Sequence, residues 1–127
     1  MIDHLQIQVA DVGASARFYD TVLETLSLSR VLEFDDAAIG YGVPGQPQFW
    51  IGPQQTGTGF RETHIAFQAA DHAAVERFFH AAEGLGAEIL YKPRRWPEYH
   101  PDYFAVFVRD PDGNNVEAVC HRPEASG

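Results

Sequence analysis

Apolar and polar residues alternate at the start of the chain, and this alternation predicts a β-strand. Leu5, Ile7 and Val9 are separated by glutamines, which is the period of two expected when one face of a strand is packed. An aspartate, Asp11, then precedes a stretch with helical spacing and is a favourable N-cap. The apolar face of this predicted helix is formed by Ala14, Phe18, Val22 and Leu26.

The same strand and helix pattern occurs a second time. A shift of 60 residues aligns the segment that begins at His4 with the segment that begins at His64, and seven of the fifteen aligned positions are identical. Asp71 takes the place of Asp11 as the predicted N-cap. Such self-similarity is typical of a duplicated structural unit. We predict two related units, at about 1–58 and about 59–122, followed by a short C-terminal tail.

Each predicted helix is followed by three short apolar stretches that we interpret as strands. They lie at about 29–34, 37–43 and 47–51 in the first unit and at about 87–91, 102–109 and 115–121 in the second. The last two are joined by a hairpin turn from Asp110 to Gly113, and the stretch from Pro93 to Pro101 is predicted to be a loop. These elements predict an α+β fold in a single domain of 127 residues.

Composition argues against several classes of partner. Nine Lys and Arg residues stand against 18 Asp and Glu residues, and the net charge of −9 argues against binding to a nucleic acid or to an anionic membrane. A single cysteine, Cys120, excludes an internal disulfide framework. The first residues lack the regions of a signal peptide, and no apolar run approaches the roughly 20 residues of a membrane span. We therefore expect a cytoplasmic protein.

Strand alternation also indicates which side chains lie opposite the packed faces. His4, His64 and Glu117 fall on that opposite side of three predicted strands. Two imidazoles and one carboxylate are a ligand set for a divalent metal such as Fe²⁺, Mn²⁺, Ni²⁺ or Zn²⁺, with positions left open for substrate or water. The alternative is that the three residues are only polar lining, with Glu117 facing water. The same side carries candidate substrate-binding residues, namely Gln48, Trp50, Tyr103 and Phe107.

Four segments of the chain resemble the vicinal oxygen chelate superfamily, which includes glyoxalase I, extradiol dioxygenases, and fosfomycin- and bleomycin-resistance proteins. The segments are Asp3 to Val9, Ala16 to Tyr19, Thr63 to Phe67 and Phe107 to Glu117. The resemblance implies paired βαβββ units that form a cup-like mixed sheet. It also implies metal ligands at His4, His64 and Glu117.

The fourth ligand position of that superfamily falls at Trp50, or at Phe49 if the alignment shifts by one, and neither side chain binds a metal. This departure argues against a glyoxalase I activity. The remaining set of two histidines and one carboxylate is similar to the facial triad of the extradiol dioxygenases. We therefore expect a metal-dependent enzyme, dioxygenase-like or lyase-like, that acts on a small substrate with vicinal oxygens.

Two further interpretations stay open. His100 and Tyr99, in the predicted loop, are either solvated residues or part of a lid that brings a catalytic acid–base group over the metal. The chain also resembles the metal-free bleomycin-resistance proteins, in which case its acidic charge and its aromatic side chains would bind a cationic, partly planar ligand. With either function, the resemblance implies a homodimer.

Overall fold

The computed structural model describes residues 1–35 and 37–124, so the end of the predicted tail, residues 125–127, lies outside the described residues. The chain divides into two compact units, of which unit 1 spans Met1–Arg61 and unit 2 begins at Glu62. Each unit contains one helix and one four-stranded sheet. In the part of the chain that is described, no helix is both long and apolar enough to cross a membrane.

Unit 1 has its helix between its first and second strands. The elements are β1 (Leu5–Val9), α1 (Val12–Glu24), β2 (Ser29–Glu33), β3 (Ile39–Val43) and β4 (Gln46–Pro53). The sheet order is β1-β4-β3-β2, in which β1 runs parallel to β4 and the other neighbours are antiparallel. This register places Trp50 of β4 between Gln6 of β1 and Gly40 of β3.

Unit 2 repeats the same order of elements. These are β5 (His64–Gln68), α2 (His72–Gly84), β6 (Ile89–Arg95), β7 (Phe104–Arg109) and β8 (Asn115–Cys120). The sheet order is β5-β8-β7-β6, and β5 runs parallel to β8. Glu117 of β8 lies between Ala66 of β5 and Phe107 of β7. The predicted α+β fold with two βαβββ units is therefore confirmed, with one sheet in each unit.

Both helices begin at the aspartates that the sequence pattern predicts. The Asp11 carboxylate accepts a hydrogen bond from the N–H of Ala14 at 3.0 Å, and the Asp71 carboxylate accepts one from the N–H of Ala74 at 2.8 Å. Each helix packs its buried face on the sheet of its own unit. The hydrophobic core of each unit thus lies between its helix and its sheet.

Strand β6 extends further than the sequence predicts, into the segment from Pro93 to Pro101. Its pairing with β7 shifts register between Tyr91 and Arg94, so Pro93 lies within the irregularity. Proline has no N–H to donate to a neighbouring strand, and an irregular position tolerates it because the regular ladder is already interrupted there. The loop that remains before β7 is correspondingly shorter.

Strand β8 is buried on both of its faces. Alternation predicts burial of Val116, Ala118 and Cys120, and the structure buries Glu117 and Val119 as well. The Glu117 side chain is only 1% exposed, so it does not face water. A buried carboxylate is costly unless other groups hydrogen-bond or neutralise it, and its partners therefore define the candidate site.

Candidate functional site

Both carboxylate oxygens of Glu117 have partners in unit 2. Oε1 lies 2.8 Å from Nε2 of His64, and Oε2 accepts a hydrogen bond from the hydroxyl of Tyr103. With Glu117 ionised, the His64 tautomer that fits this contact carries its proton on Nε2 and donates it. The chain thus folds so that two of the three predicted metal ligands are in direct contact.

The position of His64 is set by the turn between β7 and β8. The residue before it, Thr63, donates its backbone N–H to Oδ1 of Asn114 at 2.9 Å. Nδ2 of Asn114 in turn donates to Oδ2 of Asp110 at 2.9 Å, and Oδ1 of Asp110 accepts the backbone N–H groups of residues 112 and 114. The turn from Asp110 to Gly113 therefore also anchors the start of β5, where His64 lies.

Tyr103, predicted to bind substrate, contacts Glu117 through its hydroxyl. The hydroxyl donates a hydrogen bond to the Glu117 carboxylate, and a substrate-binding role for Tyr103 stays a prediction. Desolvation, together with this hydrogen bond and the nearby negative charge, raises the pKa of Tyr103 well above its usual value. The phenol is therefore protonated at neutral pH and acts as a donor to Glu117.

Nε2 of His64 and Oε1 of Glu117 are atom types that bind divalent metals, and a metal would take the place of the Nε2 proton that joins them here. Ligand nitrogen and oxygen atoms lie about 2.1 Å from such an ion, so two ligands at right angles are about 3 Å apart. The 2.8 Å separation of Nε2 and Oε1 is close to that value. Asn115 lies on the same side of β8 as Glu117, because side chains alternate along a strand. The Oδ1 atom of Asn115 is buried, and the described residues provide no hydrogen-bond donor for it.

His4, the third predicted ligand, lies directly before β1 in unit 1. Its Nδ1 is 2.7 Å from Oδ1 of Asp3, which leaves Nε2 available. A carboxylate on the second nitrogen is the usual arrangement for a histidine that binds a metal. Among residues 1–35 and 37–124, no group of three or more His, Cys, Asp and Glu side chains that could hold a metal is found. The three-ligand set, with one residue from unit 1 and two from unit 2, stays a prediction.

Unit 1 contains a cavity of about 550 Å³. Its lining includes three of the predicted site residues, which are His4, Gln48 and Trp50. No sequence pattern indicates Phe34 as a site residue, yet its ring stacks on the Trp50 indole with centroids 5.4 Å apart and planes 4° apart. Asp3 also lines the cavity. Its position next to His4 in the sequence is the feature that could have identified it as a site residue.

The segment before β7 contains the two predicted acid–base residues. Nδ1 of His100 accepts the backbone N–H of Asp102 at 3.1 Å, so the proton of the neutral ring is on Nε2, which lies 2.9 Å from Nδ1 of His121. Tyr99 is an exposed side chain whose ring contacts that of Tyr103 at 4.9 Å. A catalytic role for His100 and Tyr99 stays a prediction.

Phe107, predicted to bind substrate, is buried in unit 2. Its ring lies 5.9 Å from the His64 ring and 5.1 Å from the Trp96 ring, measured between centroids. Together with Ala105 and Val119 it forms an apolar cluster on the sheet. The structure thus places Phe107 beside the imidazole of His64.

Known proteins share this architecture along nearly the whole chain. The family described as the Glyoxalase/Bleomycin resistance protein/Dioxygenase superfamily matches residues 1–118. The protein PA2024 of Pseudomonas aeruginosa is 28% identical over 132 residues, which cover 99% of this chain and 92% of that protein.

Two solved structures show the same fold. A glyoxalase/bleomycin resistance protein from Albidiferax ferrireducens T118 superposes with a TM-score of 0.81 at 23% identity, covering 93% of this chain and 97% of that one. A lactoylglutathione lyase from Agrobacterium tumefaciens superposes with a TM-score of 0.68 at 21% identity, covering 94% and 92%. Since the family match runs from residue 1 to residue 118 and so takes in both helices and all strands up to the middle of β8, the chain belongs to the glyoxalase/bleomycin resistance protein/dioxygenase superfamily.

Proposed function

We propose that this protein is a divalent-metal-dependent enzyme that acts on a small substrate with vicinal oxygens, in a dioxygenase-like or lyase-like reaction. The observation that carries the proposal is the contact between Nε2 of His64 and Oε1 of the buried Glu117. A carboxylate that is already desolvated and oriented binds a cation more strongly than one that is mobile in water. His4 is the proposed third ligand.

The residues around the ligands have defined roles in this proposal. Tyr103 holds Oε2 of Glu117, which leaves Oε1 directed toward His64. Asp3 orients the imidazole of His4 in the same way. His100 and Tyr99 are the proposed proton-transfer groups, and the contact of both rings with Tyr103 supports their proximity to Glu117. A bound divalent ion would supply Lewis-acid stabilisation of the negative charge that develops on the substrate oxygens.

Metal titration tests this proposal directly. Protein purified without chelator is first analysed for bound metal. Protein stripped of metal is then reloaded by titration with Fe²⁺, Mn²⁺, Ni²⁺ and Zn²⁺, followed by calorimetry or equilibrium dialysis. We expect binding of one ion per chain, and affinity lower by at least about tenfold in Glu117→Gln, His64→Gln and His4→Gln, because each change removes one ligand.

The matched control is His80→Gln, which replaces an exposed histidine on α2. Its affinity should equal that of the wild type, and circular dichroism should show that all variants are folded. Absence of binding for all four ions, or unchanged affinity in Glu117→Gln and His64→Gln, would remove the proposal.

A second candidate function is that of a metal-free module that sequesters a cationic, partly planar ligand. The net charge of −9 favours it, and so does the unit 1 cavity, whose described lining contains Asp3 but neither lysine nor arginine. A double variant His64→Gln, Glu117→Gln separates the two functions, because neither residue is among the described residues that line this cavity. Ligand binding that persists in this variant selects the sequestration module, whereas loss of binding selects the metal enzyme.

The homodimer that the superfamily resemblance implies is also a proposal. Light scattering at micromolar protein concentration measures the assembly directly. A mass of twice 14.1 kDa is expected, and a monomer would contradict the proposal.

A further inference from the structure

His100 and His121 form a hydrogen-bonded pair of imidazoles in unit 2. Nε2 of His100 lies 2.9 Å from Nδ1 of His121, and the ring planes differ by 26° with centroids 5.1 Å apart. The two rings are therefore nearly coplanar and lie side by side, as an N–H···N hydrogen bond requires. This bond joins the segment before β7 to the residue directly after β8, so it holds that segment on the sheet.

The hydrogen bonds of His100 define the tautomers of both rings. The backbone N–H of Asp102 donates to Nδ1 of His100 at 3.1 Å, so the single proton of a neutral His100 is on Nε2. This proton is donated to Nδ1 of His121, whose own proton is then on Nε2. Both nitrogens of His100 are thus occupied, and proton transfer by His100 requires the pair to open.

This arrangement requires both rings to be neutral. A proton added to His100 binds Nδ1 and faces the N–H of Asp102, whereas a proton added to His121 binds Nδ1 and faces the N–H of His100. Either event sets two hydrogens against each other and breaks a hydrogen bond. Histidine changes charge between about pH 8 and about pH 5, so the pair should open in mild acid.

The groups around the pair do not compensate an added positive charge. The segment 95–103 and the residue after His121 contribute the nearby titratable and charged side chains, which are Arg95, Glu98, Tyr99, Asp102, Tyr103 and Arg122. From α2, His72 reaches the carbonyl of Arg122, and from β8, Glu117 accepts the Tyr103 hydroxyl. In the described part of the chain, no ion pair joins a carboxylate to His100 or His121. Acid therefore costs the pair a hydrogen bond without giving it a salt bridge.

Tyr103, the donor to Glu117, is held by this pair. Its ring meets both imidazoles edge to face, with its centroid 5.4 Å from that of His100 and 5.2 Å from that of His121. Its backbone N–H also donates to the carbonyl of His100 at 3.2 Å. These contacts restrict the rotamer of Tyr103, and they thereby set the position of the hydroxyl that donates to Oε2 of Glu117.

We propose that His100 and His121, while both are neutral, are positioning residues that hold Tyr103 in hydrogen-bonding contact with Glu117. Protonation of the pair in mild acid frees the segment before β7, and Tyr103 with it. As far as metal affinity is concerned, the inference rests on the proposed function, because Glu117 is a ligand only there. The contact between Tyr103 and Glu117 is present without a metal, so it is also measured in the metal-free protein.

The first test determines the tautomers in proton–nitrogen correlation spectra of the histidine rings of metal-free protein. The signals are assigned by comparison with His100→Gln and His121→Asn. At about pH 7.5 we expect both rings to carry their proton on Nε2. A proton on Nδ1 of His100 at this pH, or a hydrogen bond between the rings that persists after protonation at about pH 5, would overturn the proposal.

The second test separates the position of His121 from its titration. In His121→Asn the amide Oδ1 can accept the N–H of His100 in place of Nδ1, but it gains no proton. Metal-free His121→Asn should therefore match the melting temperature of the wild type at about pH 7.5 and melt higher than the wild type at about pH 5. His121→Ala, which has no acceptor, should melt lower than the wild type at about pH 7.5. Equal melting of His121→Asn and the wild type at both pH values would contradict a role for the neutral pair.

The third test asks whether the pair acts through Tyr103. Mn²⁺ affinity at about pH 7.5 should fall several-fold in His121→Ala, by no more than the roughly tenfold loss expected for Tyr103→Phe. In the double variant the loss should equal that of Tyr103→Phe alone, and the losses of melting temperature without metal should be less than additive. At about pH 5 the difference in Mn²⁺ affinity between His121→Ala and the wild type should shrink, since the wild-type pair is then open as well. Additive losses in the double variant would overturn the proposal.

The matched control is His80→Ala, which removes an exposed histidine of α2. It should follow the wild type in Mn²⁺ affinity and in the pH dependence of melting. The two proposals can fail separately. Absence of Mn²⁺ binding in the wild type would count against the proposed enzyme function, and the tautomers and melting temperatures would still decide this inference. Mn²⁺ binding with additive losses would remove only this inference.

Discussion

Nε2 of His64 lies 2.8 Å from Oε1 of Glu117, and this contact joins an accessible imidazole to a buried carboxylate. The side chain of His64 is 53% exposed, whereas that of Glu117 is 1% exposed. A cation or ligand that approaches from solvent therefore meets the imidazole first, while the negative charge behind it is shielded from water. Such a pair is electrostatically stronger than the same two groups on an open surface.

Removal of the Tyr103 hydroxyl should weaken this arrangement. In Tyr103→Phe, Oε2 of the buried Glu117 loses its donor, so the free energy of unfolding should fall by about 1–3 kcal/mol in urea titrations. Metal affinity should fall by about tenfold, because the carboxylate is no longer oriented.

Tyr99→Phe is the control for that variant, since Tyr99 is an exposed tyrosine of the same segment. Its stability should change by less than about 0.5 kcal/mol. Equal effects of the two substitutions would mean that the contact of Tyr103 with Glu117 does not stabilise the fold.

Asn114 should be the most sensitive residue of the turn between β7 and β8. It is buried, its Oδ1 accepts the N–H of Thr63 and its Nδ2 donates to Asp110. Asn114→Ala leaves these groups unsatisfied and should cost about 2–3 kcal/mol of unfolding free energy. The neighbouring Asn115→Ala is the comparison, because Oδ1 of Asn115 has no hydrogen-bond partner in the described part of the chain. Asn115→Ala should lower the unfolding free energy by less than half as much as Asn114→Ala. A larger loss in Asn115→Ala would contradict the role of Asn114 in holding the turn.

Gly40→Ala should displace the Trp50 indole. The new Cβ would lie 2.8 Å from ring atoms, a contact that forces the ring or strand β3 to move. We expect a loss of about 1–3 kcal/mol in stability, together with a changed tryptophan fluorescence spectrum. Gly84→Ala provides the control because a Cβ there meets no atom within 4 Å and the residue lies in α2. Gly84→Ala should stabilise α2 slightly. An unaltered tryptophan fluorescence spectrum in Gly40→Ala would contradict the predicted displacement of the indole.

The ion pair of Asp20 with Arg30 should make stability depend on acid pH. Hydrogen bonds from Arg30 and, secondarily, from the Tyr41 hydroxyl to the Asp20 carboxylate lower the pKa of Asp20 below its usual value. Partial burial of Asp20 opposes this shift. Because the folded-state pKa is depressed, the stabilisation is present above the unfolded pKa of 3.8 and is lost as pH falls through the folded value.

Asp20→Asn should therefore be less stable than the wild type at neutral pH, by at most about 1 kcal/mol since both partners are partly exposed. The difference should shrink as pH falls from about 5 to about 2, as followed by thermal unfolding. Glu33→Gln, which removes the other carboxylate on Arg30, is the control. A difference that stays constant over this pH range would contradict a depressed pKa of Asp20.

Much of the fold can be predicted from the sequence, because helix caps and strand alternation depend on residues close together in the chain. Asp11 and Asp71 cap helices through hydrogen bonds to residues only three positions later, and the alternation in β1 follows from the geometry of one strand. The repeat then indicates that both units have the same element order. Register between strands is not local, however, and Pro93 shows its effect, since the sequence alone does not predict the irregular pairing that places it in β6.

The candidate site depends partly on local sequence patterns and partly on contacts between distant residues. Alternation and the repeat identify His64 and Glu117 as residues of one surface, because side-chain direction is a property of the strand backbone. The donation from Tyr103 to Glu117 and the stacking of Phe34 on Trp50 join residues 14 and 16 positions apart, on separate strands or beyond their ends. Such contacts depend on strand register, turn geometry and the rotamers that packing permits, and these are settled only when the whole unit folds.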